Sequence, residues 1–259
     1  MHSPSSFSRF SRASGWLLVM LAFLLAGPAL NLALGRASVG GDWRNATHRP
    51  AGLAPDAASH VEAIVQVYAS RTFGWRGAFS DHTWLAAKAE GADHYTRYEV
   101  IGWYGGGGRS VVSISSRNAP DAEWFGAAPR LIGDVRGPEA DAIIGKLPEV
   151  VGAYPYADTY HAWPGPNSNT FIAFVGRALP ELRMKMPSTA IGKDYVPLSQ
   201  FVTTPPSGTG MQMSLFGLLG VIAGPVEGLE LNVLGLVTGF DLRNPAVKLP
   251  GIGRLPRES

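Results

Sequence analysis

The sequence predicts an α+β fold, in which a mixed or antiparallel sheet packs with helices behind an N-terminal membrane helix. Three observations predict this class. Short runs rich in β-branched residues are separated by turn residues, two segments have helical periodicity, and one long apolar run lies near the N-terminus. The chain also contains 32 Gly and 20 Pro, which is typical of short elements joined by many turns.

The N-terminal apolar run is Trp16–Leu34, which is uncharged and spans roughly 28 Å as a helix, close to the thickness of a bilayer core. Arg9 and Arg12 precede it without an acidic residue, so the N-terminus should stay cytoplasmic and the remainder should be exported. We therefore expect an inner-membrane, single-pass protein with a periplasmic domain. Residues 1–35 form the anchor or a signal segment, since Gly35–Ala37 would also suit a cleavage site.

The exported part is divided into a tether, residues 36–59, and a single α+β domain, residues 60–259. The predicted strands are Val61–Tyr68, the hairpin arms His82–Lys88 and Tyr95–Trp103, and Arg109–Ser115.

A helix is predicted at Pro138–Tyr154, and Lys193–Asp194 is interpreted as a solvated turn in preference to the lining of a pocket. Further on, Leu219–Gly224 is echoed by Leu234–Gly239. This echo predicts a glycine-rich apolar hairpin within residues 211–240, which either packs on the domain or contacts lipid. The chain is then predicted to close in an irregular tail.

Composition excludes several kinds of site. The chain has no cysteine, which excludes disulfides, zinc–thiolate sites and a cysteine nucleophile. The six histidines lack metal-binding spacing, and we expect neither a metal nor a cofactor. A net charge of +2 without any Lys/Arg run argues against nucleic-acid binding.

The second helical pattern runs from Phe171 to Leu179 and is ended by Pro180. Ser168 should therefore lie at a helix N-terminus, where unpaired N–H groups and the helix dipole favour negative charge. An acyl-transfer enzyme would place its nucleophile there, but helix capping also explains a Ser or Asn at such a position. Both interpretations stay open.

A base for Ser168 is sought on the predicted hairpin. His82 is preferred, and a two-residue turn at Gly91–Ala92 would place Glu99 on its face as the group that orients the imidazole. A slip of one residue would bring His94 to that face instead.

His161, in the loop before the helix, is the reserve base. Asn167 and Asn169 are further polar partners of Ser168.

The order of His82-Thr83-Trp84 on a strand and Asn167-Ser168 opening a helix resembles the circularly permuted papain-like hydrolases. These form the NlpC-like group that includes relatives of lecithin retinol acyltransferase, and their helix begins with an Asn-Cys pair. The resemblance covers residues 60–180 and implies a hydrolase or acyltransferase. In this chain serine replaces the cysteine. A serine hydroxyl is a poorer nucleophile than a cysteine thiol unless it is activated.

A closer resemblance covers nearly the whole exported part. It rests on Trp124–Gly126, Tyr154–Tyr156, Gly165–Phe171, Pro187–Asp194 and Lys248–Gly251. These motifs are similar to those of an uncharacterised bacterial family, domain of unknown function 3750. The family implies no established activity.

Two functions follow as hypotheses, and whether the chain is an enzyme stays open between them. The first is a membrane-tethered, serine-dependent amidase, peptidase or acyltransferase that acts on cell-envelope peptide or lipid. The second is a non-catalytic envelope module with a degenerate papain-like site, which binds cell-envelope peptide, glycan or lipid. They differ in whether Ser168 and His82 share one site.

Overall fold

The computed structural model describes residues 6–37, 42–105 and 108–256 of the chain. The first five residues of the predicted anchor segment, residues 38–41 of the predicted tether and the last three residues lie outside this description. Three α-helices and two antiparallel sheets are found in the described part, which confirms the α+β class. The helices are α1 (Ser6–Ala33), α2 (Pro138–Gly152) and α3 (Ser168–Ala178).

The first sheet has five strands in the order β4-β3-β2-β1-β5. Its strands are β1 (Ile64–Arg71), β2 (Asp81–Lys88), β3 (Thr96–Val100), β4 (Val112–Ser115) and β5 (Arg130–Arg136).

The second sheet is a meander of seven strands, in which each strand pairs with the next. Its strands are β6 (Val202–Thr203), β7 (Met211–Leu215), β8 (Leu219–Gly224), β9 (Gly228–Val233), β10 (Leu236–Asp241), β11 (Ala246–Leu249) and β12 (Gly253–Leu255).

The central strands of the first sheet are buried on both faces, so polar side chains such as Gln66, His82 and Thr83 are buried together with the apolar ones. One face, here called the helix face, carries Val65, Val67, Leu85 and Ala87 and packs in one core with α2 and α3. The other, the strap face, carries side chains that pack with Trp124 and Phe125. Its members on the two central strands are Ile64, Tyr68, Trp84 and Ala86.

The β2–β3 hairpin has the predicted register, with Leu85 opposite Tyr98 and Ala86 opposite Arg97. This register leaves Trp84 level with Glu99. The second arm is shorter than predicted, because Gly102–Tyr104 turns into a short 3-10 helix after Val100.

The predicted tether is attached to the domain over its described part. Residues 42–59, here called the strap, run across the strap face. Pro50 pairs with Ala122, and the backbone N–H groups of Leu53 and Ala54 donate to the carboxylate of Asp121 at 2.6 and 3.2 Å. Farther along, the Tyr95 hydroxyl donates to the Pro55 carbonyl. These bonds fix the strap, which is therefore no free linker in its described part.

The second sheet corrects the prediction for the C-terminal part. The predicted hairpin within 211–240 is four strands, β7 to β10, and the predicted irregular tail forms β11 and β12. Glycines with positive φ allow the tight turns between such short arms, as at Gly217, Gly228 and Gly235.

Helix α1 contains a stretch, Ser14–Ala33, that is long and apolar enough to cross a membrane, a property that signal sequences share. Its last turns contact the domain. The Asn31 amide donates to the carbonyls of Ala78 and Gly251 at 3.0 and 2.8 Å. A side chain at Gly27 would collide with the Pro250 carbonyl, so the helix and the β11–β12 turn approach each other closely.

Candidate functional site

The candidate site begins with the alternation of side chains along β2. His82 lies on the strap face, where its Nε2 is 3.4 Å from Glu99 Oε2. The same carboxylate oxygen accepts a hydrogen bond from Arg97 Nη2 at 2.9 Å. All three side chains are buried. His82 and Glu99 therefore form the pair that the hairpin register predicted, with Arg97 as the counter-charge of the carboxylate.

Aromatic rings enclose His82. Its imidazole stacks on the Trp124 ring with centroids 3.6 Å apart, and Trp84 lies 5.7 Å away on the same strand. The Trp103 ring stacks on Trp124 at 6.0 Å and is 64% exposed. We call His82, Trp124 and Trp103 the aromatic stack. It leads from the buried imidazole to the solvent.

The charges of the pair follow from burial. Burial lowers the pKa of His82, against the opposing effect of its bond with Glu99, so the imidazole is neutral at pH 7. Burial alone would raise the pKa of Glu99, but the bonds with His82 and Arg97 hold it below its ordinary value. We therefore assign the Nε2–H of a neutral His82 as the donor to an ionised Glu99.

Helix α3 begins at Ser168, which confirms the predicted helix N-terminus, and its cap is Asn167. The Asn167 side chain accepts hydrogen bonds from the backbone N–H groups of Asn169 and Thr170 at 2.9 and 3.2 Å. The Thr170 hydroxyl in turn accepts from the Asn167 backbone N–H, which completes a capping box. Ser168 is thus the first helical residue, and the capping interpretation applies to Asn167.

The remaining polar groups of this segment hold the loop that follows Thr189. The Asn169 amide donates to the carbonyls of Asp81 and Ile191, both at 2.8 Å. The Asn167 amide also donates to Ile191 at 3.0 Å, and the Thr170 hydroxyl donates to Gly192 at 2.8 Å. Asn167 and Asn169, which were predicted as polar partners of Ser168, therefore connect α3, β2 and this loop through their hydrogen bonds.

The structure does not bring Ser168 and His82 together. Helix α3 packs on the helix face, where the Thr83 hydroxyl donates to Asn169 Oδ1 at 2.9 Å and lies 3.5 Å from the Ser168 carbonyl. Thr83 and His82 are neighbours on a strand, and consecutive side chains point to opposite faces. The predicted arrangement of Ser168 with His82 and Glu99 is therefore not formed. Only the pair of His82 and Glu99 is in place.

The reserve residues lie elsewhere. His94 is exposed in the turn at the far end of the hairpin, where its Nδ1 contacts Asp93 at 2.7 Å. His161 is exposed, and its backbone N–H donates to the Pro166 carbonyl. Within the described residues, no group of three or more His, Cys, Asp or Glu side chains is placed to hold a metal ion.

Sequence reasoning missed a cluster of buried charges between the first core and the second sheet. Lys193 is only 1% exposed, and its Nζ donates to Asp194 at 2.9 Å and to Glu230 at 2.6 Å. Lys248 donates to the other oxygen of Glu230 at 2.5 Å. The predicted solvated turn at Lys193–Asp194 is therefore wrong. The alternation of Leu229, Glu230 and Leu231 places Glu230 on the face opposite the two leucines, but it does not show which face is inward.

The fold and the site define a class: an α+β protein of two antiparallel sheets with one apolar N-terminal helix and a buried His–Glu pair beneath an aromatic surface. The chain belongs to the family described as Protein of unknown function (DUF3750), whose model matches residues 62–195. This match covers the first sheet with α2 and α3 and ends before β6. No curated protein and no solved structure matches the chain, and the papain-like resemblance gains no support from these comparisons.

Proposed function

We propose that the protein is a single-pass inner-membrane protein whose periplasmic domain binds a peptide or glycan of the cell envelope without cleaving it. The observation that carries this proposal is the separation of Ser168 and His82 by the first sheet. A serine hydroxyl needs an adjacent base to act as a nucleophile, and His82 is on the other side. The proposal corresponds to the non-catalytic module, in which any papain-like site is degenerate.

The binding surface that we propose is the exposed end of the aromatic stack, Trp103, together with its neighbour Tyr104. Trp103 and Tyr104 are exposed side by side with ring centroids 6.2 Å apart. Trp124 and His82 support Trp103 from below, so the surface is rigid and little side-chain entropy is lost on binding. Aromatic rings present large apolar faces and are enriched in binding interfaces. Such a surface suits the apolar face of a sugar ring or an extended peptide.

Co-sedimentation with isolated peptidoglycan tests the proposal. The full-length protein in detergent should pellet with the polymer, and Trp103→Ala should lower the bound fraction by about fivefold or more, because exposed aromatic anchors dominate such contacts. Trp75→Ala is the matched control. Trp75 is also an exposed tryptophan, but it packs edge-on against Phe79 and outside the aromatic stack. Equal loss in both variants, or no binding by the native chain, would contradict the proposed surface.

A second measurement separates binding from catalysis. The native protein and Ser168→Ala are incubated with peptidoglycan fragments and with envelope lipids, and the products are identified by mass spectrometry. We expect no product from either protein. Release of a product by the native chain that is lost in Ser168→Ala would restore the serine-dependent amidase, peptidase or acyltransferase and overturn the non-catalytic proposal.

A further inference from the structure

The second sheet has an inverted pattern of burial. On β9, Leu229 and Leu231 are exposed, whereas Glu230 and Asn232 between them are buried. A soluble antiparallel sheet normally turns its apolar side chains to the core and its polar ones to water. Here the polar side chains face the domain and bond to it, as in the contacts of Glu230 with Lys193 and of Asn232 with Asp194.

The exposed side chains of neighbouring strands form rows, which follow from the strand register. One row crosses six strands through Met211, Ala223, Leu229, Phe240, Val247 and Leu255. The next crosses five strands through Val202, Met213, Val221, Leu231 and Thr238. We call the surface made by these rows the outer face.

The outer face is apolar without interruption by charge. No member of either row is charged, and Phe240 is 56% exposed at the centre of the longer row. Contiguous exposed apolar surfaces of this kind mark sites that contact a partner or a membrane. Apolar-out, polar-in alternation is the pattern of strands that face lipid.

Helix α1 approaches the sheet beside this face. Its Leu24 lies in one buried cluster, which also contains Ile191, with Leu236 and the half-buried Val233. Leu236 and Val233 pair with each other and continue the outer face as a third row, with Leu219 opposite Val233. The apolar surface of α1 is therefore continuous with the outer face.

The length of α1 gives the depth of this contact. The apolar stretch Ser14–Ala33 is no longer than a bilayer core requires, and so all of it is needed for a crossing. At 1.5 Å per residue, Asn31 and Gly27 then lie roughly 3 and 9 Å inside the hydrocarbon boundary. Both contact the β11–β12 turn at residues 250–252. That end of the second sheet is thus carried to the depth of the acyl-chain boundary.

We propose that the outer face of the second sheet lies flat on the membrane that α1 crosses, with its side chains among the first acyl-chain segments of a phospholipid monolayer. This inference rests on the membrane anchor of the proposed function. The sheet lies on the membrane and does not span it, because it is open and the unpaired groups of its edge strands need water. Amphipathic surfaces of this kind enter the interface by about 5–10 Å, which agrees with the depth of the α1 contact.

The absence of cysteine makes the test direct. Single cysteines at Phe240 and Leu231, both exposed on the outer face, are labelled with the fluorophore NBD in the full-length chain and reconstituted in phosphatidylcholine–phosphatidylglycerol vesicles. Ile114→Cys, on β4 of the first sheet, is the matched exposed control, and Leu18→Cys reports on α1. Two outer-face positions keep the result independent of any one substitution.

Spin-labelled lipid should quench the labels at Phe240 and Leu231 by about twofold or more relative to Ile114, while iodide in the water should quench them less. Suppose that spin-labelled lipid quenches the labels at positions 240 and 231 no more than the label at position 114, but quenches the label at position 18. This result would contradict the contact of the outer face with the membrane and would leave the membrane anchor supported. If Leu18 also escapes the lipid quencher, both the anchor and this inference fail. The outer-face labels could also be protected from both quenchers, with a protection that disappears when the protein is diluted in lipid. This result would show that a second copy of the chain covers the outer face, and it would also overturn the inference.

Discussion

His82 and Thr83 are adjacent on β2, yet His82 bonds to Glu99 on the strap face and Thr83 bonds to Asn169 on the helix face. Helix α3 packs on the helix face, so this one step along the strand separates Ser168 from the imidazole. Because the side chains on both faces of β2 are buried, no water-filled path connects Ser168 with His82 across the strand. The position of Ser168 is therefore explained by the helix junction, and the chemistry of His82 belongs to a different surface.

The first prediction concerns this junction. Ser168→Ala should change the free energy of unfolding by less than about 0.5 kcal/mol, since Ser168 is not the cap. Asn167→Ala should cost about 1–2 kcal/mol for the cap alone, and more for the two amide bonds to the carbonyls of Ala162 and Ile191. Asn167→Asp should fall between them, because Asp caps equally well but cannot donate these bonds. Urea unfolding in detergent measures all three, and a larger loss in Ser168→Ala than in Asn167→Ala would contradict this assignment.

Local pattern was sufficient for several elements. The register predicted for the β2–β3 hairpin is the observed one and brings His82 close to Glu99, although the connection between the strands is longer than the predicted two-residue turn. The periodicity from Phe171 to Leu179 located α3, and the uncharged run near the N-terminus located α1. In each case the signal lies within one element or one turn, so sequence neighbours carry all the information.

The remaining features depend on contacts between distant segments. The N-terminus of α3 was predicted at Ser168, but the contacts that hold it were not, because Asn169 reaches Asp81 in a strand 88 positions earlier in the chain. No inward position was predicted for Glu230, since charged residues usually face water. Only the partner cations Lys193 and Lys248 make an inward Glu230 favourable. No periodicity reveals such a partnership.

The second prediction concerns the pH dependence of stability. The pKa of His82 is lowered in the folded protein, so below about pH 6.5 the unfolded chain takes up a proton that the folded chain refuses. The stability contributed by neutral His82 is therefore complete above that pH and is lost as the pH falls toward the folded pKa. Urea unfolding between pH 7.5 and 5.5, values of about one unit on either side of 6.5, should show this slope in the native chain and a shallower one in His82→Gln. Equal slopes would show that His82 does not titrate differently on folding.

The third prediction concerns α1. The full-length chain should stay in the pellet when membranes are washed with alkaline carbonate, because an apolar helix of this length is held by the hydrocarbon core. Its mass should equal that of the uncleaved chain. A shortened, extractable product that begins near residue 38 would identify a cleaved signal segment instead. Asn31→Leu serves as the control for docking: it should stay in the membrane but loosen the contact with Gly251, which increases hydrogen exchange around residues 250–252.

The fourth prediction concerns the buried charges of the second sheet. Burial alone would raise the pKa of Glu230, but Lys193 and Lys248 hold it below its ordinary value, so the carboxylate is ionised between two ammonium groups. Glu230→Gln removes the negative charge that these cations share. We expect a loss of about 3 kcal/mol or more in the free energy of unfolding, because a buried charge that loses its partner is costly.

The exposed pair of Lys146 and Glu181, with Nζ and Oε1 2.8 Å apart, provides the matched control. Glu181→Gln should cost less than about 1 kcal/mol, since solvent-exposed ion pairs contribute little. Salt separates the two cases further. Raising the ionic strength should weaken the native contribution of Glu181 but leave that of Glu230 nearly unchanged, because buried pairs are poorly screened. Equal losses in the two variants would mean that Glu230 is accessible to water, and the inward orientation of its strand face would then be wrong.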